Sequence, residues 1–199
     1  VTDKDAFIKA IKMDHVTAKY KGNYRSKDNF ESSDCIPLDC DNDHSDNLDE
    51  WITEERIAQY FPNVKYALVY SRSHMKQKGE QAPRPRMHLY FEIEEVSDVG
   101  EYDRIKKRLL DYFPYFDKNA QDAARFLYGT ENPQVIWHDG SMTIEDFLDE
   151  QEFRSWDAEL EKIPEGKRNA TMSKFAGKVI KRYGDTDKAR EVFWEKAEK

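Results

Sequence analysis

Apolar and polar positions recur along this chain with enough regularity to mark most of its elements. Met87-His88-Leu89-Tyr90-Phe91-Glu92-Ile93 alternates with a period of two, which predicts a strand with Met87, Leu89, Phe91 and Ile93 toward the core and His88, Tyr90 and Glu92 opposite. Tyr66 to Tyr70 reads as a second strand and Val135-Ile136-Trp137 as another. Residues 35–41 form a further candidate, with Ile36, Leu38 and Cys40 on one face and Asp39 and Asp41 together on the other. Helical spacing runs through Tyr102, Ile105, Leu109, Leu110 and Phe113, predicting a helix from Asp98 to Phe113 that Pro114 ends. Thr53 is placed to cap a helix through Phe61, closed by Pro62. Ala120 to Tyr128 predicts another, stopped at Gly129. Thr143-Ile144-Glu145-Asp146, a capping box with Asp in the Glu position, opens an acidic helix to about Phe153. This order of elements predicts an α+β sheet with helices packed on one face.

The tail changes character. Ile163-Pro164-Glu165-Gly166-Lys167-Arg168-Asn169 reads as a hinge, and Met172, Phe175, Ala176, Val179, Ile180 and Tyr183 then follow helical spacing. Gly184 breaks that helix, and Asp187 to Lys199 supplies a second, giving a helical hairpin. At 199 residues the chain has room for one substantial core and a small second unit. No apolar run approaches the ~20 residues that span a bilayer, and the first residues lack signal-peptide character, so a soluble cytoplasmic protein is expected.

Charge is segregated. The net charge of -8 argues against a nucleic-acid partner, but residues 65–90 carry Lys65, Arg72, Lys76, Lys78, Arg84 and Arg86 against Glu80 alone. Residues 166–182 carry Lys167, Arg168, Lys174, Lys178, Lys181 and Arg182 with no acid. Local fields of this kind steer phosphate ligands, although a basic run also serves as a plain solvated face. Conversely, ten acids and no lysine or arginine lie between Glu31 and Glu55.

Within that acidic window, Asp39 and Asp41 repel each other unless a cation joins them. A hard divalent ion, Mg²⁺ or Mn²⁺, takes such oxygen ligands and bridges to phosphate, which makes phosphoryl transfer the leading chemistry. An EF-hand spacing fails, because His44 stands where the sharp turn needs glycine. Zinc on Cys35, Cys40 and His44 lacks a fourth ligand, and a disulfide between cysteines five apart on a strand is disfavoured by their opposite faces. A solvated acidic loop remains the plain alternative. A second constellation is Ser71-Arg72-Ser73-His74 with Arg84-Pro85-Arg86-Met87-His88, guanidiniums and imidazole suited to a triphosphate. A third is Phe116-Asp117 with Asp122 and Arg125, which spacing alone leaves open between a helix-start acid, a surface ion pair and a site.

Together these residues resemble the archaeo-eukaryotic primase superfamily, and more closely the primase-polymerase domains of phages, plasmids and integrated mobile elements. The family's aspartate pair is matched by Asp39-Cys40-Asp41, and its Ser-x-His strand by His88, with Arg86 where Ser would stand. Its hydrophobic-Asp motif is matched by Phe116-Asp117, with a downstream arginine at Arg125. The resemblance implies an RRM-like two-part catalytic domain over 1–160 and a small C-terminal helical domain over 161–199. It implies template-directed nucleotidyl transfer on single-stranded DNA from nucleoside triphosphates, as primase and DNA polymerase in the replication of a mobile element. Asp39, Asp41 and Asp117 would hold two Mg²⁺ or Mn²⁺ ions. His88 and Arg125 would contact the triphosphate, with Arg84, Arg86, Arg72, Lys76 and Ser71 as further nucleotide contacts. Lys174, Lys178, Lys181 and Arg182 on the basic helix would serve the template. A helicase often follows this domain in relatives, so a helicase domain or partner is implied, and Val1 in place of an initiator Met agrees with a fragment.

Two other classes compete. A rolling-circle nicking endonuclease shares such a sheet but needs paired metal-binding histidines, and position 90 is Tyr where the second would stand. A noncatalytic single-strand binder would stack bases on aromatics such as Tyr90 and have no use for Asp39 and Asp41.

Overall fold

The computed structural model describes residues 3–118, 122–160 and 168–197. It is an α+β structure built on one antiparallel five-stranded sheet. The strands are β1 (Ala18–Tyr20), β2 (Phe30–Cys40), β3 (Tyr66–Tyr70), β4 (Met87–Val96) and β5 (Val135–His138), in the order β1-β2-β4-β3-β5. Helix α1 (Lys4–Ile11) precedes β1, α2 (Glu54–Tyr60) joins β2 to β3, and α3 (Val99–Tyr112) follows β4. Strands β2 and β3 thus flank β4 in a split β-α-β unit, with β1 and β5 added at the edges.

The alternation along β2 and β4 decides which face is core. Ile36, Leu38, Cys40, Met87, Leu89 and Phe91 are fully buried on one face, against Ile57 and Phe61 around α2 and Tyr102, Ile105 and Leu109 of α3. Phe61 meets the rings of Phe91, Phe113, Phe116 and Phe147, an aromatic knot whose members each contribute about 2–3 kcal/mol by burial. Thr53 and Asp98 cap α2 and α3 through their side chains. Helices do not keep to one face, however. Helix α1, capped by Asp3, lies over the opposite one, where Phe7 and Ile11 pack with Ala67, Val69 and Tyr90. Helix α1 has no counterpart among the elements expected from the sequence, although Asp3 as a cap and Phe7, Ala10 and Ile11 at helical spacing carry its signal.

Strand β2 begins five residues earlier than its apolar run suggests. The polar stretch Glu31 to Asp34 is held because Ser33 donates to the Thr17 carbonyl (2.9 Å) and Ser32 to Glu95 (2.7 Å). Strand β1 pairs with β2 only as far as Ser33. From Cys35 onward that edge of β2 has no strand beside it among the described residues, which is where Pro37, lacking an N–H, is tolerated.

The segment 122–130 is not the helix expected over 120–128; Ala120 itself lies outside the described residues. Asp122 to Arg125 form a turn, and Leu127 pairs with His15 as an isolated antiparallel bridge. Three consecutive carbonyls are taken by side chains from elsewhere. Lys106 Nζ donates to Asp122 O (3.0 Å), Tyr20 Oη to Ala123 O (2.9 Å) and Arg25 Nη1 to Ala124 O (2.7 Å). Acceptors engaged this way need no helical N–H, and tertiary donors override the helix preference of Ala-Ala-Arg-Phe-Leu.

By internal contacts the chain divides into two units, Val1–Leu148 and Asp149–Lys199. Helix α4 (Ile144–Leu160) starts from Thr143, whose Oγ1 accepts from the Asp146 amide (3.1 Å). It runs past Phe153 because no Gly or Pro interrupts it. In the second unit α5 (Arg168–Tyr183) and α6 (Asp187–Ala197) form the hairpin, closed on Phe175, Val179 and Ala189. Gly184 turns the chain at φ +69, a conformation that costs glycine little. Of the hinge expected over Ile163 to Asn169, residues 163–167 lie outside the described residues, and Arg168 and Asn169 belong to the first turn of α5 instead.

Candidate active site

Asp39 stands directly opposite His88 of β4, on the sheet face away from the aromatic core. Its carboxylate is only an acceptor, so His88 Nδ1 carries the proton of the bond to Asp39 Oδ1. Burial pushes the Asp39 carboxyl up, but the His88 bond and charge, with Arg125, outweigh it and hold the group below the usual carboxylate range. Asp39 is 4% exposed.

The open edge of β2 receives the third motif. The Asp117 amide donates to the Asp39 carbonyl at 2.8 Å, while Phe116 before it is buried against Phe61, Phe91 and Phe113. A hydrophobic residue ahead of the aspartate is therefore an anchor, and the edge left free beside Pro37 is the socket. Arg125, presented by the clasped turn, bonds Asp39 Oδ2 through Nη2 and lies 3.7 Å from Asp117 Oδ2. Asp39, His88 and Arg125 line an open cavity of about 300 Å³.

Asp41 is held apart from this group. Its Oδ2 pairs with Lys78 Nζ at 3.0 Å. Immediately after it Asn42, at φ +56 and buried, turns the chain and bonds the Ile52 amide (2.7 Å), the Ile52 carbonyl (3.0 Å) and the Pro85 carbonyl (2.9 Å). Among the described residues no three His, Cys, Asp or Glu side chains converge as a ready-made metal centre. The donor chemistry nonetheless fits hard divalent ions: Asp39 and Asp117 sit together with Asp41 two residues along, and each carboxylate is matched by a protein cation, Arg125 or Lys78.

Arg84 and Arg86 are not free for phosphates. Both are buried, at 1% and 0% exposure. Arg84 donates to the Asn42 carbonyl (2.9 Å) and pairs with Asp46 at 2.5 Å. Arg86 donates to the Ser73 and Lys76 carbonyls (3.3 and 3.0 Å) and to Gln81 Oε1 (2.9 Å). They staple the loop 71–86 from within, so the expectation that they contact nucleotide is corrected. Ser71 is likewise a loop element: its amide donates to the Arg86 carbonyl and its Oγ accepts from the Ser73 amide. Arg72 and Lys76 are exposed.

Tyr90 is unsuited to stacking on a base, because it is 2% exposed, edge-on to Phe7 and bonded through its hydroxyl to His15 Nε2 (3.0 Å). Burial lowers the His15 pKa, and its Nδ1 donates to the Met13 carbonyl. The two cysteines are free, and burial pushes each thiol up to about 12. On α5, Lys174 and Lys178 are exposed, whereas Arg182 is engaged by Asp149 and Glu152 and is withdrawn from the expected template face. The side chain of Lys181 lies outside the described residues. Among the described residues no helix is long and apolar enough to cross a membrane.

Sequence reasoning missed the residues that hold the site. Tyr20, Arg25 and Lys106 clasp the turn that carries Arg125, and burial lowers the Lys106 pKa to about 8. Lys106 occurs at a position of the α3 stripe facing inward with Tyr102, Leu109 and Leu110, the one available signal that this charge is not solvated.

No family model matches the chain, and no curated protein matches it. Among solved structures it is similar to the AEP domain of the cyanophage S-2L primase-polymerase, with a TM-score of 0.47 and 16% identity over 68% of each chain. At that score the residues of the site, and not the superposition, carry the functional reading.

Proposed function

We propose that the chain is a nucleotidyltransferase of the primase-polymerase type, extending or starting strands on single-stranded DNA from nucleoside triphosphates. The observation that carries this reading is the meeting of Asp39, His88, Asp117 and Arg125, from four separate segments, in the order and with the neighbours of the motifs they resemble. Asp39, Asp41 and Asp117 would hold two Mg²⁺ or Mn²⁺ ions, which when bound lower the pKa of an attacking hydroxyl and neutralise a pyrophosphate leaving group. His88 and Arg125 already grip an oxyanion, the Asp39 carboxylate, with one N–H each. A triphosphate offers them acceptors of the same kind, and charge-assisted bonds of this type are strongest in a partly buried cleft. Exposed Lys76, with Lys174 and Lys178 in the second unit, supplies sequence-independent phosphate contacts.

The test is incorporation of labelled nucleotide on a single-stranded template with Mg²⁺ or Mn²⁺, with and without a primer. Metal-dependent products are expected from the wild type and none from Asp39→Ala or Asp41→Ala. Activity retained by either folded variant removes the assignment. Burial of Tyr90 removes the one ring named for stacking in the passive-binder reading, and a nicking enzyme would still lack the second histidine at position 90.

A further inference from the structure

At the mouth of the Asp39 cavity, Tyr128 is 52% exposed yet fixed in place. On one side of it the Leu127 amide donates to the His15 carbonyl (2.9 Å) and the His15 amide returns the bond (3.0 Å). On the other, the Gly129 amide donates to Asp14 Oδ1 at 2.9 Å, and the backbone is so close that a Cβ on Gly129 would lie 2.5 Å from the Lys12 carbonyl oxygen. An aromatic ring clamped by its neighbours and turned out of the core gains little from burial. Around it stand the groups that a nucleobase and its phosphates need. The Arg72 guanidinium lies 3.9 Å over the Tyr128 ring, Phe126 meets that ring edge-on at 5.2 Å, and Arg25 Cζ lies 5.3 Å from the centre of Phe126. Arg25, Phe126 and Tyr128 share the cavity wall with Asp39 and His88.

We propose that Tyr128 and Arg72, backed by Phe126 and Arg25, form a stacking ledge for an unpaired base of single-stranded nucleic acid, the guanidiniums taking the flanking phosphates. A planar base has a π face for the ring and for Arg72, and stacking of this kind tolerates any sequence. A paired base has no exposed face to offer, so the ledge selects single strands over duplex. This deepens the proposed function by naming the grip on the template; it rests on that reading for the substrate class but not for the chemistry.

The experiment is fluorescence anisotropy of a labelled oligothymidylate at low salt in EDTA, without nucleotide, so that binding is read apart from catalysis. Tyr128→Ala is expected to weaken binding about tenfold, and Tyr128→Phe to stay within about twofold of wild type. Arg72→Gln is expected to reduce the slope of log K against log salt by about 0.7, one phosphate contact on a single strand. Melting curves check that the exposed substitutions leave the fold intact. Wild-type affinity in Tyr128→Ala, an equal loss in Tyr128→Phe, or no binding by the wild type overturns the ledge. Tyr128-dependent binding by a protein that incorporates no nucleotide leaves the ledge standing and removes the enzyme. Incorporation with binding indifferent to Tyr128 does the reverse.

Discussion

The loop 71–86, with three arginines, and the turn 122–130, with Arg125 alone, both border the end of β2, yet they use the residue in opposite ways. In the first, Arg84 and Arg86 point inward and their N–H groups serve backbone carbonyls of the loops they tie together. In the second, other side chains serve the carbonyls, which leaves Arg125 free to reach the Asp39 carboxylate across the cavity. A guanidinium is drawn to whichever buried acceptors lack a donor. What decides whether an arginine becomes scaffold or site is therefore who else satisfies the nearby backbone.

The contrast can be broken at its sharpest point by comparing Arg125→Gln with Arg86→Met. Arg125→Gln keeps one donor for Asp39, so the fold should hold while nucleotide incorporation falls roughly 10²–10³-fold, the usual loss for a group that stabilises developing charge. A fall in activity matched by a fall in melting temperature would place Arg125 with the scaffold instead. Arg86→Met should act the other way, leaving the Ser73 and Lys76 carbonyls and Gln81 without their donor at a cost of about 3 kcal/mol. Thermal melting should drop by roughly 6–12 °C. An Arg86→Met protein that melts like wild type but fails to bind nucleotide would restore its role as a phosphate ligand.

A smaller effect comes from Lys106, the clasp whose charge is buried. Its pKa in the folded chain, about 8, lies below the 10.5 of the free side chain, so between those values the unfolded chain binds more protons and stability rises with pH. Wild type should gain on Lys106→Met by about 1 kcal/mol per pH unit between pH 8 and 10, read as the difference in urea midpoints. A difference that stays flat over that range would mean that the folded protein carries Lys106 with an ordinary pKa.

Much of the fold was legible because its elements are spelled locally. Tyr66 to Tyr70 has the bounds of β3, Thr53 and Asp98 cap the helices they precede, and the alternation around His88 put it on the polar face where Asp39 meets it. The turn at 122–130 was not legible, since nothing within Ala123-Ala124-Arg125 announces donors at positions 20, 25 and 106. Nor does a run of basic residues say which guanidiniums are buried. Arg72 and Arg84 look alike in sequence, and only the path of the loop puts one over Tyr128 and the other against the Asn42 carbonyl. Alternation put Asp41 beside Asp39 on one strand face, but β2 ends at Cys40 and Lys78 from the distant loop holds the Asp41 carboxylate.

The three clasps on the Asp122, Ala123 and Ala124 carbonyls also fix an order of events in time. Two of them join residues 99 and 103 positions apart, so the turn has no reason to form until β1, the loop after it and α3 are in place around the sheet. The hydrophobic sheet and its aromatic knot can condense first, and Arg125 comes into register with Asp39 only afterward. On the way out the sequence reverses: local opening that frees the turn releases Ala123 and Ala124 from the core while the pairing of β2, β3 and β4 holds. The amides of Arg125 and Leu127 should accordingly exchange with solvent faster than those of β4, and the protein should lose the pairing of Arg125 with Asp39 well before it loses its fold.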